Sequence, residues 1–256
     1  MRIKWTVIFL LCSLLMFCTS TSKKVQTSQK NDPKYQYNLG LFYINEGNPD
    51  SAVTCLNRSL QIKPGNYLVY HALGLAYSMK GELEKSVASF QSALKIYPES
   101  TETRNALGII YQEMGFLDKA EEEFKLAIAD KSYASRALPH YNLARLYQIR
   151  NRMEDAIFHL ENAISLNNRF VMALNLKGII LEDMNRLHEA INAYKKALNA
   201  LDLSKSDGTQ IQYNLAVAHF KNKEYIIARQ IFEKIYNLVT EPEMKKDILK
   251  YLKMIK

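Results

Sequence analysis

Leu107 to Ala127 read LGIIYQEMGFLDKAEEEFKLA, and this stretch decides the fold. Leu107-Gly108 is followed by Tyr111 three residues on, Gly115 after a further four, and then Ala120, Phe124 and Ala127. A small residue in one helix and two alanines in the next let helix backbones approach closely, while the aromatics fill the gaps. Gly115 can take the left-handed conformation that ends the first helix. The stretch therefore reads as two antiparallel helices. The pattern recurs. Leu39-Gly40-x2-Tyr43-x3-Gly47-x4-Ala52 closes at Pro64, and Leu73-Gly74-x2-Tyr77-x3-Gly81 continues to Phe90, Ala93 and Pro98. Leu143-Ala144-x2-Tyr147-x3-Asn151 leads to Ala156 and Ala163, and Gly178-x2-Leu181-x3-Asn185 leads to Ala190, Tyr194 and Ala197. Leu215-Ala216-x2-His219 leads to Ala228 and Phe232. The small residue steps through 40, 74, 108, 144, 178 and 216, at intervals of 34, 34, 36, 34 and 38.

A period of 34 with these residues resembles the tetratricopeptide repeat. The expected fold is all-α: a right-handed superhelical solenoid of six helix-turn-helix repeats plus a C-terminal capping helix. The repeats span 33–66, 67–100, 101–136, 137–170, 171–208 and 209–242. Gly40, Ala52, Gly74, Ala93, Gly108, Ala120, Ala127, Ala156, Ala163, Gly178, Ala190, Ala197 and Ala228 are the expected packing positions. Residues 243–256 place Met244, Ile248, Leu249 and Leu252 on one helical face, which suits a cap over the last apolar surface.

Composition agrees. The 256 residues include only nine Gly and six Pro. All-β folds, collagen-like repeats and low-complexity chains need many more breakers. The net charge is +8, but the 34 basic residues are spread among 26 acidic ones with no stripe, so nucleic acid is not an expected partner. There is no P-loop, no G-x-S-x-G and no G-x-G-x-x-G. His71, His140, His159, His188 and His219 are read as falling in different repeats without metal-ligand spacing, so no metal or other cofactor is expected. Glu121-Glu122-Glu123 reads as a solvated face. Cys55, the one cysteine in the repeats, reads as a small buried apolar residue. The chain is not expected to be an enzyme.

The first residues differ. Arg2 and Lys4 precede an uncharged apolar run from Trp5 to Phe17, which suits a signal peptide over 1–17 better than a membrane span. Leu15-Met16-Phe17-Cys18 resembles a bacterial lipobox, with Cys18 as the lipid attachment site, although Phe17 stands where Gly, Ala or Ser is usual. Ordinary cleavage near Thr19–Thr21 and an uncleaved anchor are the alternatives. Residues 18–32 would be a lipidated Cys and a flexible polar tether with a reach of about 20 Å.

In the repeat family the first helix of each unit lines an inner groove. Its inward positions here include Tyr37, Leu41 and Ile44, then Leu68, His71 and Leu75, then Tyr141 and Arg145. Tyr37 and Leu41 replace the Lys and Asn of a carboxylate clamp. Tyr37, Leu41, Ile44, Leu68 and Leu75 are expected to form an exposed apolar strip that takes a protein partner.

Taken together, the leader, the lipobox and the repeats resemble the type IV pilus pilotin family. Tyr35-x3-Leu39-Gly40-Leu41-x-Tyr43 resembles its entry helix. Asn105-x2-Gly108 with Asp130-x2-Tyr133, and the two-residue insertion before Asn142-Leu143, resemble a signature in its third repeat. Leu107 and Lys131 depart from that signature. The resemblance implies a lipid-anchored protein on the periplasmic face of the outer membrane. It would bind a secretin subunit or another envelope protein and promote ring assembly. The alternatives are a generic envelope repeat lipoprotein that scaffolds a cell-wall or secretion complex, and an accessory subunit of an exported enzyme.

Overall fold

The computed structural model describes residues 30–130, 135–201 and 208–255. The signal segment 1–17, Cys18, most of the tether, and Lys131 and Tyr133 of the pilotin-like signature lie outside the described residues. Among the described residues there are thirteen helices and no strand. They are α1 (Pro33–Asn45), α2 (Pro49–Ile62), α3 (Tyr67–Met79), α4 (Leu83–Ile96), α5 (Thr101–Glu113), α6 (Leu117–Ala129) and α7 (Ala137–Ile149). Then come α8 (Met153–Leu166), α9 (Val171–Asp183), α10 (Leu187–Ala200), α11 (Thr209–Lys221), α12 (Tyr225–Tyr236) and α13 (Pro242–Met254). The architecture is the all-helical, paired-helix solenoid type that the period implies.

The chain divides into two compact units, one ending at Phe116 and one beginning at Leu117. In the first, each helix packs on the next from α1 to α5, and α1 also touches α3 and α3 touches α5. In the second, each packs on the next from α6 to α13, and α9 touches α11. This is local, neighbour-to-neighbour packing, in which every pair buries the face its neighbour leaves open.

The packing positions explain why the backbones come so close. Ala52, Ala93, Ala120, Ala127, Ala156, Ala163, Ala190, Ala197 and Ala228 are all fully buried, and Gly40, Gly74, Gly108 and Gly178 are buried with them. A Cβ on Gly74 would lie 2.5 Å from the ring of Phe90. The equivalent atom on Gly178 would run into the ring of Tyr194. Neither buried ring can yield at low cost.

Six corners turn the first helix of each pair into the second. All six use one device: a residue with φ between 56° and 79°, at Gly47, Gly81, Gly115, Asn151, Asn185 and Lys223. The amide after each corner reaches back to the carbonyl of Tyr43, Tyr77, Tyr111, Tyr147, Leu181 or His219 at 2.8–3.0 Å. This satisfies an otherwise orphaned helix-end acceptor. Lys223 has no counterpart in the sequence reading, because lysine carries no signal for this conformation. Pro33, Pro49 and Pro242 each open a helix, where a missing N–H costs nothing.

The cap differs from its expected form in one respect. Ile248 is buried and Met244 and Leu252 pack beside it, but Leu249 points outward. Tyr251 takes the inner place and stacks on Phe232, with ring centroids 5.1 Å apart. Lysines at 246, 250 and 253 hold the exposed side of α13.

Candidate protein-binding face

In the first unit the candidate residues sit on α1 and α3, whose contact sets their exposure. Tyr37, Leu41 and Ile44 are half-buried, packed against Val69, Ala72, Leu73 and Ala76 of α3 and Ala52 and Leu56 of α2. Leu75 is half-buried as well. The expected open strip is therefore corrected: of its five members only Leu68 is exposed, at 41%. The inward positions of one first helix also serve as packing positions for the next, and the larger apolar side chains go to that contact. Ile109 on α5 is a further exposed apolar side chain in this unit. His71 is likewise committed. Its Nδ1 lies 2.9 Å from Thr103 Oγ1 and its ring lies over Phe90. Burial lowers its pKa, against a smaller upward pull from Glu102.

Beside Leu68 lies a cleft of about 500 Å3. Tyr37, Tyr67 and Leu68 give it apolar walls, Asn38 supplies an amide, and Lys34 and Lys63 supply charge. Tyr67 is held by the ring of Tyr97, 4.8 Å away. Ser59 Oγ donates to the carbonyl of Pro33 at 2.7 Å and ties the start of α1 to α2. Burial, with help from Tyr67, raises the pKa of Tyr37, so its hydroxyl keeps its proton.

In the second unit Tyr141 is half-buried against the ring of Phe170. Arg145 is exposed, with its guanidinium 6.0 Å from the Tyr141 ring. Leu138 and Met172 stand exposed on α7 and α9. Asn214 Nδ2 donates to Asn175 Oδ1 at 3.2 Å, and Asn214 Oδ1 accepts from Gln210 Nε2 at 3.0 Å, an amide row across α9 and α11. This unit thus offers isolated apolar, cationic and amide groups.

Two expectations about charged residues are corrected. Glu121 is not part of a solvated face: it accepts from Tyr147 Oη at 2.9 Å and from Arg150 at 2.6 Å, and pairs with Lys125 at 2.7 Å. Desolvation raises its pKa, but these donors outweigh it and the pKa is lowered. The histidines are not all apart either, since His140 Nδ1 lies 3.0 Å from His159 Nδ1. The helix pairing brings together residues 19 apart. His188 remains exposed, and His219 is buried with Nδ1 on Glu224. Among the described residues no group of three or more His, Cys, Asp or Glu could hold a metal ion. Burial also raises the Cys55 thiol pKa, which keeps it protonated.

The histidine pair has a measurable consequence. Desolvation first, then His140, lowers the His159 pKa to about 4. His140 is lowered too, by burial and Arg136. Tyr147 and Phe158 face His159, and Asp155, Glu121 and Lys125 act on it more weakly. The unfolded chain binds protons below about pH 6.5 while the folded pair resists them, so this stability is full above that pH and is lost as pH falls towards 4. Roughly 1–3 kcal/mol should disappear across that window. Urea midpoints measured between pH 7 and 4 will show it, and His159→Phe should flatten this part of the profile. An equal slope in the variant would contradict the reading.

The family described as Tetratricopeptide repeat matches residues 34–99. That described as Tetratricopeptide repeat protein 21 C-terminal ARM domain matches residues 119–253, just over half of the chain. Among solved structures, Pseudomonas aeruginosa pilF is similar at TM-score 0.74 and 16% identity, covering 87% of this chain and 99% of its own. PilW, a widely conserved type IV pilus biogenesis factor, is similar at TM-score 0.72 and 18% identity, covering 85% and 98%. A 103-residue stretch, 38% of this chain, is 37% identical to human protein O-mannosyl-transferase TMTC3. The chain spans about a tenth of the length of these curated relatives.

Proposed function

The chain belongs to the tetratricopeptide-repeat family, a fold that holds other polypeptides, and from that premise we propose that this protein-binding scaffold serves type IV pilus biogenesis. It binds a secretin subunit and promotes its placement and assembly in the outer membrane, anchored there through lipid on Cys18. The observation that carries this reading is the near-complete mutual coverage with the two pilus proteins, one of them a biogenesis factor. The entry-helix and third-repeat signatures point the same way. The repeats supply specificity and the lipid supplies the address. No catalytic step is assigned.

The test is co-purification of the tagged full chain from detergent-solubilised membranes of its own host. The secretin should be the main co-purifying protein. Leu68→Asp with Ile109→Asp should lower its recovery about tenfold, with helical circular dichroism unchanged because both side chains are exposed. Recovery of a cell-wall synthase in place of the secretin would overturn the pilus assignment in favour of a general envelope scaffold.

A further inference from the structure

The cleft beside Leu68 combines features that select one kind of guest. Its walls are aromatic and aliphatic, from Tyr37, Tyr67 and Leu68, and its volume of about 500 Å3 suits one large side chain with its flanking backbone. Lys34 and Lys63 line it, and no carboxylate does. Both lysines are exposed. The nearest acid in sequence, Asp32, is engaged as the cap of α1, where it accepts from the Lys34 amide at 2.9 Å. The helices α1 and α3 both begin at the cleft; the Asp32 carboxylate offsets the dipole of α1, and that of α3 adds to the positive potential of the lysines. The apolar walls favour a ring, and cations on two different elements favour negative charge on both sides of it.

We infer that this cleft is a docking site for an extended acidic segment of the partner protein, one aromatic side chain entering between Tyr37, Tyr67 and Leu68 and its neighbouring Asp or Glu side chains meeting Lys34 and Lys63. The inference rests on the scaffold reading above and gives it a recognition code. The aromatic ring supplies buried area, and the flanking carboxylates supply orientation and a faster encounter. Asn38 lines the cleft with an amide for the guest backbone, while Asn66 Oδ1 is engaged as the cap of α3, accepting from the Leu68 amide at 3.0 Å.

The probes are fluorescein-labelled acetyl-Asp-Phe-Asp-amide, acetyl-Asn-Phe-Asn-amide and acetyl-Asp-Ala-Asp-amide, titrated by anisotropy against the full chain in non-ionic detergent. The first should bind, and each of the others should bind about tenfold more weakly. Binding of the first should weaken as salt is raised. Lys34→Gln with Lys63→Gln should abolish the preference for the acidic probe while leaving the melting temperature in place, since neither lysine is buried. Tyr67→Ala should abolish the preference for Phe over Ala. Equal binding of the acidic and amide probes, or an undiminished preference in the double lysine variant, overturns the inference. Co-purification of the partner is read separately. A partner still captured by a chain that binds none of the three probes leaves the scaffold standing and removes the cleft as its docking site.

Discussion

Phe232→Ala is expected to cost the C-terminal unit roughly 3–5 kcal/mol, the usual range for emptying a fully buried aromatic site. Phe232 has no exposed surface and lies among Ala216, Val217, Ala228, Ile235, Val239 and Ile248. Tyr251 stacks on it at an interplanar angle of 9°, and Tyr213 meets it edge-on at 6.0 Å. Removing the ring takes away both the filling of α12 against α11 and the surface on which α13 rests. The loss should appear as a lower urea midpoint and as faster hydrogen exchange in α13 than in α7. Ile226→Ala is the control: its side chain is 76% exposed, and its change should stay within about 0.5 kcal/mol. A loss below 1 kcal/mol in Phe232→Ala would mean that α13 does not depend on this ring.

Glu182→Ala should cost about 2–4 kcal/mol, for a different reason. Tyr194 is fully buried, and its hydroxyl donates to Glu182 at 3.0 Å. The other oxygen of Glu182 takes Lys221 Nζ at 2.8 Å, so one carboxylate joins α9, α10 and α11. Burial, and then the Glu182 charge, raise the Tyr194 pKa and keep the phenol a donor. Removing the acceptor leaves a buried hydroxyl unsatisfied, which costs more than an average hydrogen bond returns. Glu182→Gln should lose less, because the amide oxygen still accepts. Tyr194→Phe in the Glu182→Ala background should recover part of the loss, and a denaturation cycle over the four proteins measures the coupling. Simple additivity would show that the two groups act independently.

The helix pairs were legible because their determinants repeat. Gly40, Gly74 and Gly178 recur where a ring or a branched side chain of the second helix presses on the first, and a recurring constraint becomes a period. Singular features were not legible. Lys223 takes a strained corner that Gly or Asn takes elsewhere, with nothing in the residue type to announce it. The exposure of Leu41, Ile44 and Leu75 failed because one helix face serves two purposes, and packing claims the larger side chains. The His140–His159 contact left a faint trace. These slots stand four residues before and fifteen after the small residue, and in the fifth repeat they hold Leu174 and Ala193, both buried. Reading slots across repeats, and not spacing within one, is what reveals such partners.

The six corners have a consequence for warming. Glycine takes the first three, at Gly47, Gly81 and Gly115, and residues with a side chain take the last three, at Asn151, Asn185 and Lys223. Glycine adopts the left-handed turn without strain, but immobilising it forfeits the most backbone freedom, an entropic burden that grows in proportion to absolute temperature. A side chain at such a corner, Lys223 above all, instead stores steric strain of about 1–2 kcal/mol, which changes little with temperature. Heating therefore weighs more on the glycine corners than on the others, whose residues also lose backbone freedom but less of it. The same bend carries a larger thermal burden at the first three corners than at the last three.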